Sequence, residues 1–173
     1  MMLSEKEITS SPTHYAQWLE CFEILKKRSV NHDEYKLLCG GICRDSEHSL
    51  QYLETELVKT INAMLSQYIH EFQREWNMYA IFGETESLYL PYVHFAQKLS
   101  FCLFFRNLKF MSEKFRRELE SSVRSEAEKF WLNAYRTLYY SCAQQHDTQL
   151  EDVLYQIKRI RLFPENDSQK EDL

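Results

Sequence analysis

The side chains with the clearest capacity for chemistry lie in and around the sequence LLCGGICRD, residues 37–45. Cys39 and Cys43 are separated by three residues, and His32 and His48 flank them. Two thiolates and two imidazoles form a ligand set that suits tetrahedral zinc. The spacing lacks the paired short knuckles of common structural zinc sites, and buried cysteines often act as small apolar residues. The four residues are therefore candidate zinc ligands, and a simple turn between two helices is the competing interpretation.

Iron chemistry has less support in the sequence. A di-iron bundle characteristically carries Glu-x-x-His on two helices, and the nearest tetrapeptide here is Asp45-x-x-His48, at a predicted helix start. Haem needs one axial histidine, for which His94 is the best candidate and His70 the second. A lone histidine among apolar residues is more often a hydrogen-bonded core or boundary residue. We predict no cofactor, although the sequence leaves zinc and haem open.

Motifs for covalent or acid–base catalysis are missing from the sequence. It contains no Gly-x-Ser-x-Gly elbow, no phosphate-binding glycine loop and no His-Glu-x-x-His motif. Glu71 and Glu75 are four residues apart, and we expect them on a solvent-exposed polar face of their helix. These observations favour a protein that is not an enzyme, while a site assembled across several helices stays open.

The charge pattern argues against nucleic-acid binding. Residues 33–55 could form a helix-turn-helix with Gly40-Gly41 in the turn, but the second helix would be acidic and phosphates would repel it. The net charge of the chain is −5. The densest basic region includes Arg116 and Arg117, where interleaved glutamates predict pairing within the helix. A nucleic-acid-associated regulator is therefore only the third hypothesis.

Aromatic side chains offer a candidate interaction surface. Trp131, Tyr135 and Tyr139 form a row beside the main apolar stripe of a long helix, and aromatic residues are common anchors at interfaces. We take them, with Arg116 and Arg117, as candidate contact residues; the competing interpretation is that both rows are buried. The preferred prediction is a non-enzymatic protein-interaction or regulatory protein, with a homodimer as one form. The second hypothesis is a sensor bundle that binds a small ligand or a metal.

Composition indicates one all-α domain over residues 1–163. The chain has 173 residues, 44% of them hydrophobic and 14% aromatic, but only three glycines and three prolines. So few glycines and prolines disfavour the turns that hairpins and sheets require. The N-terminal sequence MMLSEKEITSSP has no apolar segment, and the five cysteines have no framework spacing. We therefore expect no signal peptide, reduced thiols and a cytoplasmic location. Charged residues interrupt the apolar stretch 88–110, so we expect no membrane span.

Apolar periodicity predicts an irregular bundle of five to seven helices. The first should begin near Ser11-Pro12. A short second helix, capped at Asn31 or Asp33, should end at Gly40-Gly41, with residues 38, 39 and 42 packed under the turn. Asp45 or Ser46 should cap a long helix near 46–80.

The second half of the chain continues the helical pattern. Gly83 should end the long helix, and a central buried helix should cover residues 89–110. A break near Met111 and a cap at Ser112 should precede another long helix. Asp147 or Thr148 should cap the last one, and the acidic segment 164–173 is predicted to be disordered.

Overall fold

A computed structural model describes residues 6–145 and 147–160. This part of the chain forms six α-helices and two short 3₁₀ turns, without a β-strand, which confirms the all-α prediction. The predicted tail 164–173 lies outside the described residues. The helices are α1 (Tyr15–Lys27), α2 (His32–Gly40), α3 (Glu47–Phe82), α4 (Leu90–Phe104), α5 (Glu113–Gln145) and α6 (Thr148–Arg159). No helix among the described residues is both long and apolar enough to span a membrane.

The described residues group into two compact units. The first comprises residues 6–66 and 103–122, and the second comprises residues 67–102, 123–145 and 147–160. The long helix predicted near 46–80 is confirmed as α3, which runs for 36 residues. The prediction of one domain over residues 1–163 stays a prediction.

The first unit packs around Trp18, which is fully buried. The ring centroid of Trp18 lies 4.5 Å from that of Phe110 and 5.9 Å from that of Phe22. Its indole Nε1 donates a hydrogen bond to the carbonyl oxygen of Ile42 at 2.8 Å. Because a buried indole N–H needs an acceptor, this bond fixes the α2–α3 connection against α1.

The start of α1 differs from the sequence prediction. The helix begins at Tyr15 rather than near Ser11-Pro12. The carbonyl oxygens of residues 12 and 13 accept hydrogen bonds from the amides of Ile42 and Arg44, each at 3.0 Å. These two residues therefore pair with a distant segment instead of opening the helix.

Asp45 caps a different helix from the one predicted. Its carboxylate accepts a hydrogen bond from the amide of Tyr15 in the first turn of α1, at 2.5 Å. Ser46 takes the capping position of α3, where its carbonyl oxygen accepts hydrogen bonds from the amides of Ser49 and Leu50. Asp45 thus ties the entrance of α3 to the start of α1.

Glu34 is a buried carboxylate at the α1–α2 turn, with 4% of its surface exposed. Arg28 donates to both of its oxygens, at 2.5 and 2.9 Å, and the amides of Ile8 and Asn31 each donate at 3.0 Å. The side chain of Asn31 caps α2 as predicted and completes a capping box with Glu34. The hydrogen bonds from Arg28 hold the pKa of Glu34 down at about 2.

The glycine pair ends α2 as predicted. The helix stops at Gly40, and the amide of Gly41 donates to the carbonyl oxygen of Leu38 at 3.0 Å. Leu38 is buried and Cys39 is half-buried, as expected. Ile42 is 38% exposed, so the prediction that it packs under the turn is wrong. The Trp18 ring, which approaches the backbone at Gly41, occupies that space instead.

Helix α4 is shorter than the predicted helix over 89–110. It ends at Phe104, and a 3₁₀ turn covers Phe105–Asn107. The amides of Leu108 and Met111 then donate to carbonyls three residues back, at 3.2 Å each. Such tighter bonds end an α-helix, and they account for the predicted break near Met111.

The predicted end of α3 at Gly83 and the predicted cap of α6 at Asp147 are confirmed. The amide of Gly83 closes α3 on the carbonyl oxygen of Tyr79 at 3.0 Å. The carboxylate of Asp147 accepts hydrogen bonds from the amides of Gln149 and Leu150, at 2.9 and 3.4 Å. In the second unit, α6 packs against the 3₁₀ turn Thr85–Ser87. Its buried face consists of Leu150, Val153, Leu154 and Ile157.

We predict that E34Q destabilises the first unit by about 3 kcal/mol, because it breaks a buried ion pair. The folded-state pKa of Glu34, about 2, lies below its ordinary value of 4.5. The stabilisation is therefore present above pH 4.5 and is lost as the pH falls towards 2. Urea unfolding at several pH values measures both effects.

E23Q is the matched control, because Glu23 pairs with Lys26 while 59% of its side chain is exposed. Exposed pairs contribute less than about 1 kcal/mol. Equal stability losses for E34Q and E23Q would contradict the structural role of Glu34.

We predict that G41A costs about 1–3 kcal/mol, as overpacking commonly does. A Cβ on Gly41 would lie 2.5 Å from Cζ2 of Trp18, whereas a Cβ on Gly40 would lie 3.2 Å from the side-chain oxygen of Ser11. G40A should cost little, since the Ser11 side chain can rotate and alanine favours the helix. Thermal and urea unfolding compare the two variants, and an unchanged stability of G41A would overturn the prediction.

Candidate functional site

The structure does not bring the four predicted zinc ligands together as a ligand set. Among the described residues, no group of three or more His, Cys, Asp or Glu side chains could hold a metal ion. His32 stacks on Tyr35, and His48 packs edge-on against Tyr52. Zinc binding at this turn stays a prediction.

The two thiols of this turn have raised pKa values. The thiol of Cys43 points to the carboxylate of Asp45, with 3.5 Å between Sγ and Oδ2. Burial raises the pKa of both Cys39 and Cys43. Because metals bind the thiolate, a raised pKa disfavours ligation.

The predicted interaction residues fall into different units. Arg116 and Arg117 belong to the first unit, where Arg116 donates to the carbonyl oxygen of Leu108 at 3.1 Å. Arg117 pairs with Glu113 at 3.1 Å, as the intrahelical charge pattern predicted.

The predicted aromatic row lies on α5 in the second unit. The rings of Trp131 and Tyr135 are half-buried and stack in parallel at 5.2 Å. Tyr139 is half exposed. Their role as contact residues stays a prediction.

A different surface of the second unit has the features of a binding site. Helices α3 and α5 flank a groove of about 390 Å³ that we call the α3–α5 groove. The helices run in the same direction, because the contacts Glu54–Ser112 and Phe72–Phe130 both join residues that are 58 apart in the sequence. The groove is lined by Phe72, Gln73, Trp76, Asn77, Phe130, Asn133, Ala134 and Thr137.

The floor of the groove is apolar and firmly supported. The ring centroids of Phe72 and Phe130 lie 5.3 Å apart in an edge-on arrangement. Tyr92 and Phe95 of α4 pack behind Phe72 at 5.0 and 5.2 Å, and Trp76 packs edge-on against Tyr92 at 5.6 Å. Interlocked rings of this kind hold one another in place, so the floor is preorganised for a ligand.

The rims of the groove carry uncharged polar side chains. Gln73 and Asn77 lie on α3, and Asn133 and Thr137 lie on α5; all four are exposed. The hydroxyl of Thr137 donates to the carbonyl oxygen of Asn133 at 3.0 Å. Neutral amides and hydroxyls can hydrogen-bond to a ligand at a lower desolvation cost than charged groups.

Apolar side chains extend the site beyond the groove. Met78, Ile81 and Phe82 are 56%, 70% and 86% exposed. They line a shallow pocket of about 410 Å³ on α3, which also includes Gln73 and Asn77 of the groove rim. On α5, Tyr140 is 64% exposed and lies seven residues after Asn133, hence on the same helical face. The pocket therefore adjoins the groove at its α3 rim, and its lining also includes His70 and Arg74.

Carboxylates of α3 face α4 rather than solvent, contrary to the sequence prediction. Glu71 forms an ion pair with Lys98, and Glu75 bonds to Nδ1 of His94 at 2.5 Å. Both glutamates are partly buried. Burial raises the pKa of Glu71, but hydrogen bonds from Lys98 and Gln67 outweigh this effect and hold the pKa below its ordinary value. The haem candidates His94 and His70 are both exposed.

The rim residues are functional candidates that sequence reasoning missed. The pairs Gln73/Asn77 and Asn133/Thr137 are each four apart and flank aromatic stripes. Uncharged residues are common on the exposed face of α3, so the sequence carried no signal that singled out these rims. Trp131 and Asn133 lie on nearly opposite sides of α5, because residues two apart differ by about 200°.

Known proteins add no further assignment of the site. The chain matches no family model, no curated protein and no solved structure. The functional inference therefore rests on the geometry and the chemistry of the groove.

We predict that the purified protein retains no more zinc than its C39A/C43A variant, because the described residues contain no group of three or more side chains that could hold a metal ion. Elemental analysis after gel filtration against metal-free buffer measures the bound zinc. One zinc per chain in the wild type, absent from C39A/C43A, would restore the zinc hypothesis.

Proposed function

We propose that this protein is a non-enzymatic interaction protein and that its α3–α5 groove binds an α-helix of a protein partner. The observation that carries the proposal is the preorganised aromatic floor between two helices that run in the same direction. A groove between two such helices accepts a third helix by ordinary ridge-into-groove packing. Amphipathic helices that place apolar anchors into a groove are a common form of recognition.

Exposed apolar surface supports this proposal. Large exposed apolar patches commonly mark binding sites, and here Ile81 and Phe82 line the pocket that adjoins the groove, with most of their surface exposed. Tryptophan and tyrosine are frequent energetic anchors of interfaces, and Trp76 and Tyr140 supply them. Cysteines without framework spacing support a cytoplasmic setting for this function.

We predict that T137R abolishes partner binding without loss of stability. Thr137 is exposed on a groove rim, so a long charged side chain there obstructs the groove. Arginine also has a higher helix propensity than threonine. Affinity capture from cell extract, followed by quantitative mass spectrometry, compares the proteins retained by wild type and by T137R.

T55R is a closely matched control. Thr55 is also exposed on an α-helix, and its hydroxyl donates to the carbonyl oxygen four residues back at 3.0 Å, as that of Thr137 does. The expected result is a set of proteins retained by wild type and T55R but lost from T137R. Identical sets for all three baits would contradict the proposed groove function. Light scattering on the same samples tests the homodimer prediction, which a monomer at high concentration would exclude.

A further inference from the structure

The edges of the α3–α5 groove carry positive charge. Arg74 lies on α3, three residues before Asn77, and Arg136 lies on α5, next to Thr137; both are exposed. Within the described residues, no carboxylate forms an ion pair with either guanidinium group. The site therefore has one arginine beside each rim, in a chain whose net charge is −5.

The neighbouring carboxylate of α3 has its ion pair elsewhere. Glu71, three residues before Arg74, pairs with Lys98, and the charge of Arg74 acts on it only at longer range. Residues three and four positions from Arg136, on either side, are Leu132, Asn133, Tyr139 and Tyr140, none of them acidic. Since such positions are where intrahelical pairs form, α5 offers Arg136 no partner of its own.

From these charges we infer that the partner helix is acidic, with glutamate or aspartate on both sides of its apolar stripe. The inference rests on the proposed function of the groove and adds the chemistry of its occupant. Apolar side chains of the partner fill the aromatic floor, and its flanking carboxylates pair with Arg74 on one side and Arg136 on the other.

The two arginines also set a spacing on the partner. Phe72 meets Phe130 across the groove, and the helices run in the same direction, so Arg136 lies about one helical turn further along than Arg74. One turn is about 5.4 Å. Residues four apart, about 6 Å along a bound helix, share one face, whereas residues five apart differ by about 140° and so lie on opposite flanks. Carboxylates five residues apart, about 7.5 Å along the axis, therefore fit this offset best.

The ion pairs of Arg74 and Arg136 are expected to contribute more to the specificity of binding than to its affinity. Ion pairs at an exposed rim contribute at most about 1 kcal/mol each, and complementary charges mainly raise specificity and association rate. Two such pairs correspond to about a tenfold gain in affinity. The apolar floor remains the main source of binding free energy.

A displayed library of amphipathic helices tests the inference directly. Each helix is about 18 residues long, because shorter isolated helices are marginal in water. The apolar stripe is kept constant, and the flanking positions vary among Glu, Gln and Lys. Selection on the wild-type protein should enrich Glu on both flanks, and selection on R74E/R136E should enrich Lys at the same positions. R44E, which changes an exposed arginine of the first unit, should select the same helices as wild type.

The outcomes separate this inference from the proposed function. Helices that bind wild type but not T137R, without any preference for Glu, would retain the groove function and overturn the acidic partner. A library in which no helix depends on Thr137 would overturn both. For a selected Glu-flanked helix, R74Q/R136Q should weaken binding about tenfold, and less so in high salt; unchanged affinity would overturn the inference.

The same variants test two other occupants of the groove, a nucleic acid and a second copy of this chain. A fluorescein-labelled single-stranded oligonucleotide that binds wild type but not T137R would replace the acidic helix with nucleic acid. Concentration-dependent dimerisation that T137R abolishes would replace it with a second copy of this chain. We expect neither signal.

Discussion

Phe72 is the ring at which three helices of the second unit meet. Its side chain leaves α3 and contacts Tyr92 and Phe95 of α4 on one side and Phe130 of α5 on the other. The groove exists because this ring fills the space beneath the α3–α5 crossing but does not reach the surface. Every polar group on the rims is held at its position by helices that pack on this one side chain.

Helix α3 divides its polar residues between two sides of this ring. Glutamates face α4, where Glu71 pairs with Lys98 and Glu75 bonds to His94, while amides line the groove and Arg74 lies beside it in the adjoining pocket. The division removes negative charge from the proposed binding surface without removing it from the protein. The net charge of the chain therefore says little about the partner of this surface, because the relevant potential is local.

Much of the fold could be predicted from local sequence signals. Caps at Asn31 and Asp147 and the stop at Gly83 involve contacts within a few residues, so their chemistry is visible in the sequence. Asp45 was assigned to the wrong helix because its hydrogen-bond partner, Tyr15, is 30 residues away. A side chain that satisfies a distant backbone group has the same sequence signature as a local cap.

The candidate site was harder to predict for a related reason. Phe72, Trp76, Phe130 and Ala134 fall in the predicted apolar stripes, so the floor of the groove was visible as core. The rims of the groove could not be recognised in the sequence, since Gln73 and Asn133 become neighbours only when α3 and α5 run side by side. Glu71 and Glu75 were misplaced on solvent for the same reason, because their partners Lys98 and His94 lie on α4.

Tryptophan placement gives the protein a built-in optical reporter. Trp18 is the one tryptophan of the first unit and is fully buried, whereas Trp76 lies half-exposed in the groove. Indole emission shifts to shorter wavelength when water is excluded from the ring. Occupation of the groove should therefore change the emission of Trp76 while that of Trp18 stays constant. Loss of packing in the first unit should instead change the emission of Trp18 while that of Trp76 stays constant.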